Sequence, residues 1–216
     1  MRTKIALAGA GVLALGAAAN ADFVDVSVVN AGDLGAGANS YQIFVNFDAV
    51  DDTLLAVGGL VGNAALEFTS DVPLIQNAGV FDGLIQGDTR SLLDAGGDSW
   101  VNIGLASDTA FSPGFGGGDG ALSVINGTSF SEADGGYFDQ NPGTPEGGIG
   151  STIIAQFTLD LAPGQTATYS GLINWRDDSL PSGQFISSFF SVTIPGPGAL
   201  AVLGLAGLAG SRRRRG

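Results

Sequence analysis

The sequence contains no cysteine and no histidine, and its only lysine is Lys4, close to the first residue. Without cysteine the fold has no disulfide bonds, and thiol chemistry and cysteine-ligated metal sites are excluded. Without histidine, neither a Ser-His-Asp triad nor a histidine-ligated metal centre can be built. The lack of any lysine after Lys4 also excludes Schiff-base chemistry and Ser-Lys dyads from the rest of the chain. This composition favours a non-catalytic protein whose core is held by packing alone.

Basic residues are nearly absent from the central segment, residues 22–193. All 21 acidic residues of the chain lie there, opposed only by Arg90 and Arg176, which gives the segment a formal charge of −19. A surface of this charge repels nucleic-acid phosphates, attracts cations and keeps copies of the protein apart. We therefore expect no nucleic-acid partner. By length, the segment is sufficient for one domain with its own core.

The first 21 residues have the pattern of a secretory signal peptide. Arg2 and Lys4 form a positive start, and residues 5–19 are an unbroken run of small and apolar residues. Ala19-Asn20-Ala21 then matches the small-residue pattern of a signal-peptidase site. The sequence predicts export, with cleavage after Ala21 and a mature chain that begins at Asp22.

Residues 194–216 combine a Pro/Gly breaker, an apolar run over 199–210 and an arginine cluster over 212–215. The apolar run can enter a bilayer, whereas arginines cross it only at high cost and hold the tail on the cytoplasmic side. As a helix the run would cover roughly 20 Å, less than a hydrocarbon core of about 30 Å. A permanent anchor and a transient sorting signal both fit. Frequent glycines and the missing amphipathic stripe disfavour a buried core helix.

The order of these parts resembles the PEP-CTERM sorting signal of exported bacterial surface proteins. The family's Pro-Glu-Pro motif has glycine at its middle position here, in an Ile-Pro-x-Pro-Gly form similar to a planctomycete-type variant. The resemblance implies transit through the inner membrane, processing by an exosortase-type transpeptidase and a final location at the cell surface or outside the cell, in an exopolysaccharide-rich envelope. The matching residues are Ile194, Pro195, Gly196, Pro197, Gly198, Arg212, Arg213, Arg214 and Arg215.

Between the two terminal signals, apolar and polar residues alternate over short runs. Tyr41, Ile43, Val45 and Phe47 share one face of a predicted strand. Similar runs, punctuated by Gly, Asn and Asp, predict an all-β fold, an antiparallel and jelly-roll-like β-sandwich. The further predicted strands are 53–60, 64–69, 99–105, 151–161, 166–175 and 185–194. Blocks at 40–47, 51–59 and 98–104 are also similar to uncharacterised exported planctomycete and cyanobacterial proteins.

Two connections in the second half of the chain have clear compositions. The Ala-Pro-Gly-Gln sequence of residues 162–165 is typical of a turn, and it predicts that strands 151–161 and 166–175 pair as a hairpin. Residues 111–150 are dominated by Gly, Pro, Asp and Ser. They predict long surface loops or a flap over the edge of the sandwich.

The best candidate for a bound ion is calcium, a hard cation that prefers carboxylate and carbonyl oxygens. Asp48, Asp51 and Asp52 supply three carboxylates within five residues of a loop between two predicted strands. The alternative is a solvated acidic turn that blocks edge-to-edge aggregation of the sheet, and this is the stronger interpretation. No other cofactor is indicated.

The whole pattern predicts an exported structural or adhesive protein of the cell surface or extracellular matrix. A secreted glycan-binding module is the first alternative, and it requires Trp100 and Trp175 to be exposed in one groove. Their apolar surroundings favour core positions for both. A carboxylate-dependent glycosidase is the second alternative, and it requires two acidic side chains that face each other across a cleft.

Overall fold

A computed structural model describes residues 23–48, 52–60, 62–75, 97, 99–104, 109–111, 127–133, 135–139, 151–177 and 184–197 of the 216-residue chain. This part of the chain is all-β and contains no helix. Its strands are β1 (Phe23–Asp33), β2 (Asn39–Phe47), β3 (Thr53–Gly58), β4 (Leu66–Ser70), β5 (Trp100–Val101), β6 (Thr109–Phe111), β7 (Ser129–Glu132), β8 (Gly136–Asp139), β9 (Ser151–Leu159), β10 (Thr166–Asp177) and β11 (Gln184–Pro195).

These strands form two antiparallel sheets. The four-stranded sheet has the order β1-β2-β9-β5. The seven-stranded sheet has the order β6-β8-β3-β10-β4-β7, with β11 paired to β10. Every described pairing is antiparallel. The prediction of an antiparallel all-β fold is therefore confirmed.

The long strand β10 organises the seven-stranded sheet. Along one edge it pairs with β11 over its whole length, from Thr166 opposite Pro195 to Asp177 opposite Gln184. Its other edge is shared by β3 and β4, which lie end to end. The chain between β3 and β4 leaves the sheet opposite Gly171 of β10, since Leu172 pairs with Gly58 and Ser170 with Glu67.

Glycines allow the backbones of the paired strands β3 and β8 to approach closely, at the end of β3 and the start of β8. A Cβ on Gly136 would collide with the carbonyl oxygen of Val57 and lie 2.5 Å from the Cα of Gly58. The amide of Gly59 donates a hydrogen bond of 2.8 Å to the carbonyl oxygen of Gly135. Only glycine, which has no Cβ atom, fits at this close approach.

The core draws residues from both sheets and is rich in aromatic rings. Phe157 of β9 lies 4.5 Å from Phe68 and 5.0 Å from Tyr169, measured between ring centroids, and both partners belong to the seven-stranded sheet. Tyr137 also joins the sheets, because its hydroxyl donates a 2.8 Å hydrogen bond to the carbonyl oxygen of Ile154. These side chains therefore connect residues of the two sheets.

The alternation seen in the sequence corresponds to the burial in β2. Tyr41, Ile43, Val45 and Phe47 are all buried, whereas the intervening Gln42 and Asn46 are more exposed. The prediction that these four residues share one face of the strand is confirmed, and the structure shows that this face is buried. The strands predicted at 53–60, 64–69 and 185–194 are also present, as β3, β4 and β11.

The predicted hairpin between 151–161 and 166–175 is wrong. Strand β9 pairs with β2 and β5 in the four-stranded sheet, whereas β10 lies in the other sheet. Residues 162–165 do form a turn, in which the amide of Gln165 donates to the carbonyl oxygen of Ala162 at 3.0 Å. The turn is a corner that carries the chain from one sheet to the other, and β11 is the hairpin partner of β10.

Three further differences concern strands that were not predicted or that are shorter than predicted. The stretch 111–150, predicted as loops, contains β7 and β8, which contribute Phe130 and Tyr137 to the core. Strand β5 is shorter than predicted, since it covers only Trp100–Val101 of the predicted 99–105. The edge strand β1 was not predicted, and its apolar residues alternate less regularly.

Candidate functional site

The outer face of the seven-stranded sheet carries large exposed aromatic side chains. In β11, side chains alternate between the core and the outside, so Phe190, Val192 and Ile194 are buried. Phe185 and Phe189 point outward and are 78% and 58% exposed. Phe138 of β8 is 39% exposed. We call Phe138, Phe185 and Phe189 the aromatic face.

The strand register shows how the members of the aromatic face are arranged. Phe185 and Phe189 are four residues apart on one strand, a separation of about 13 Å. Phe189 lies opposite Leu172 and Phe185 opposite Arg176. Phe138 pairs with Ala56 of β3, and Ala56 in turn pairs with Asn174 of β10.

Polar groups lie between these rings. Ser187 stands between Phe185 and Phe189 on the outward side of β11, and its hydroxyl donates a hydrogen bond to the amide oxygen of Asn174 on β10. Arg176, next to Phe185, is one of the two basic residues of the central segment. Rings set among hydroxyl, amide and guanidinium groups can bind a ligand that has both apolar and hydrogen-bonding surfaces.

The predicted sorting motif begins inside the fold. Ile194 is fully buried, and Pro195 is the last residue of β11, paired with Thr166. The amide of Gly196 then donates a 2.8 Å hydrogen bond to the carbonyl oxygen of Gln165. Pro197 is exposed, and Gly198 lies outside the described residues.

The corner turn 162–165 that receives Gly196 is itself hydrogen-bonded. The Gln165 side-chain oxygen accepts a 2.7 Å hydrogen bond from the amide of Ala162. The next residue is also tied, because the amide of Thr166 donates to a carboxylate oxygen of Asp71 at 2.7 Å. Gly196 therefore packs against backbone atoms that are held by hydrogen bonds. We call the contact between Gly196 and residues 162–165 the C-terminal junction.

The predicted calcium ligands are placed differently from one another. Asp48 is exposed at the end of β2, whereas Asp52 is buried immediately before β3. Asp51 lies outside the described residues. In the part of the chain that the structure describes, no group of three acidic side chains is placed to hold a metal ion. Calcium binding at Asp48, Asp51 and Asp52 stays a prediction.

Other predicted site residues also lie outside the described part of the chain. They are Ala19, Ala21 and Asp22 at the signal cleavage site, Gly198 of the motif, and Arg212, Arg213, Arg214 and Arg215 of the tail.

Both tryptophans are buried, which confirms their predicted core positions. Trp175 of β10 packs against Phe23 at 5.7 Å and Phe47 at 5.9 Å between ring centroids. Trp100 lies on the other sheet, opposite Gln156 of β9. The two side chains therefore do not line one exposed groove, which was the arrangement that the glycan-binding alternative required of them.

The aromatic face is the feature that the sequence analysis missed. The run of residues 184–195 contains its signal, because strict alternation puts Phe185 and Phe189 on one side and Phe190 on the other. Phe138 carries no comparable signal, since it stands in a stretch dominated by glycine and polar residues.

Comparisons of the chain with protein-family models, with curated proteins and with solved structures found no match. Among the residues that the structure describes, none forms a helix of the length and apolarity needed to cross a membrane. The predicted membrane-entering run, residues 199–210, lies outside that part of the chain.

Proposed function

We propose that this chain is an exported, non-catalytic protein of the cell surface or extracellular matrix, with a structural or adhesive role. In this proposal the signal peptide exports it, and the tail holds it in the inner membrane until an exosortase-type transpeptidase processes it. The working molecule is the acidic β domain, a jelly-roll-like sandwich of the two sheets, delivered to an exopolysaccharide-rich envelope.

The observation that carries this proposal is the antiparallel β body that the structure describes in the segment between the two predicted signals. Strand β1 (Phe23–Asp33) lies within the predicted mature chain. Strand β11 ends at Pro195, inside the predicted sorting motif. The two-sheet body therefore occupies the predicted mature segment and includes the first residues of the predicted sorting motif, which supports a folded domain delivered by the two terminal signals.

The arginine cluster of the tail provides the test. Deleting Arg212 to Arg215 should change the mass and the location of the recovered protein, because the tail then lacks the charges that hold its end on the cytoplasmic side. Replacing all four by lysine is the matched control, and it should preserve sorting if charge is what is read. Intact mass and cell fractionation are the measurements. An unchanged mass and location after the deletion would contradict the proposal.

The aromatic face supports a second candidate function, glycan binding. Sugar rings combine apolar faces with hydroxyl groups, and the face offers phenyl rings next to Ser187, Asn174 and Arg176. The charge of −19 in the central segment disfavours acidic polymers as ligands. The chemistry therefore points to an uncharged polysaccharide.

Replacing Phe185 and Phe189 by alanine tests this second function. Both side chains are largely exposed, so the double variant should fold normally while losing at least about tenfold in affinity for an uncharged polysaccharide, about 1.4 kcal/mol. Val24→Ala is the matched control, because it removes an exposed apolar side chain from the other sheet. Co-sedimentation with insoluble glycans measures the effect. Equal binding by the double variant and the control would exclude the aromatic face as the site.

A further inference from the structure

The middle residue of the Pro195-Gly196-Pro197 motif carries the motif's single backbone donor, because proline has no N–H. In the structure this donor is already used, since the amide of Gly196 bonds to the carbonyl oxygen of Gln165 at 2.8 Å. The preceding residue, Pro195, is paired with Thr166. The first half of the motif is thus part of the β body.

The C-terminal junction has no space for a side chain on Gly196. A Cβ there would collide with the carbonyl oxygen of Ala162 and lie 2.9 Å from that of Gln165. Both neighbours are backbone atoms of a hydrogen-bonded turn, so they cannot move aside as a flexible side chain would. A glutamate at position 196, as in the Pro-Glu-Pro form of the motif, is incompatible with this docking.

We propose that Gly196 docks the motif onto the corner turn, so that Pro197 is the first residue of the motif open to a processing enzyme. Peptide bonds before Gly196 lie in the paired strand β11, and proteolysis requires a locally open backbone. Pro197 is exposed and follows the last docked residue. In this chain, packing against the corner turn requires glycine between the two prolines. The consequence for sorting rests on the proposed function, whereas the docking does not.

Limited proteolysis of the full chain in mild detergent, with a protease of broad specificity, tests the docking. Cut positions near the C-terminus are read by intact mass. We expect the wild-type chain to be cut at or after Pro197. In Gly196→Ala and Gly196→Glu the end of β11 should lift from the turn, so cuts should appear upstream of residue 196 and form at least about tenfold faster.

Thr193 provides matched controls, since it is exposed on the same strand. Thr193→Ala and Thr193→Glu introduce the same two residue types three positions away from Gly196, and they should keep the wild-type cut pattern. Hydrogen exchange is a second measurement, which does not require the glutamate variant to fold. The amide at position 196 should exchange at least about tenfold more slowly in the wild type than in Gly196→Ala.

Two results would overturn the docking: native wild-type protein cut before Gly196 as readily as Gly196→Ala, or Gly196→Ala matching the wild type in both cut pattern and exchange. Failure of the proposed function is distinguishable from either. An untrimmed cytosolic product in cells would remove the sorting role and leave the cut pattern of the purified protein unchanged.

Discussion

The core of this acidic protein contains a pair of tyrosines whose hydroxyls are hydrogen-bonded away from water. The Tyr137 and Tyr169 oxygens are 2.9 Å apart, and Tyr137 also bonds to the carbonyl oxygen of Ile154. Burial raises the pKa of both hydroxyls above the ordinary value near 10, and the neighbouring Tyr169 raises the pKa of Tyr137 further. Both tyrosines are therefore neutral at physiological pH and serve the packing of the two sheets.

This pair predicts a loss of stability in alkaline solution. Above about pH 10, tyrosines of the unfolded chain ionise while the buried pair keeps its protons, so the free energy of unfolding falls as the pH rises. Tyr169→Phe should cost about 1 kcal/mol at neutral pH through the lost hydrogen bond. It should also make the decline above pH 10 shallower. Urea unfolding at several pH values measures both effects, and an unchanged slope above pH 10 would contradict this account.

The candidate sites were predictable from the sequence only in part at the residue scale. Burial of Trp100 and Trp175 followed from their apolar surroundings. The exposure of Phe185 and Phe189 did not follow, because alternation shows which residues share a face and not which face meets water. The packing of Gly196 depends on Ala162, which is distant in sequence, so no local pattern contains it.

At the scale of strands, the sequence identified most elements and failed on their partners. The alternation of β2 and the turn at 162–165 were both predicted, and both are present. The turn signature specifies a change of direction but not whether the next strand joins the same sheet. Strands β7 and β8 were missed because they are four residues long and lie in a glycine-rich stretch.

The close pairing of β3 and β8 at Gly58 and Gly136 gives a prediction at the scale of strands. Gly136→Ala should destabilise the protein by about 1–3 kcal/mol, because the added methyl group meets the backbone of Val57 and Gly58. Ser129→Ala, at an exposed position of β7, is the control and should change stability by less than about 0.5 kcal/mol. Urea unfolding measures both variants. Equal stabilities would show that the strands can separate there without cost.

At the scale of the whole molecule, acidic and basic residues occupy different parts of the sequence. Every acidic residue lies in the central segment, and six of the eight basic residues lie in the predicted terminal signals. The acidic body keeps copies apart and discourages pairing between exposed sheet edges. We infer that the terminal segments direct the protein to its place and that the acidic body acts there.

Intact mass of the protein recovered from its native envelope tests this central claim most directly. The account predicts a product that begins at Asp22, retains Gly196, and lacks the arginine cluster or carries an attached group at its new end. A full-length product, untrimmed at both ends and recovered from the cytosol, would contradict it.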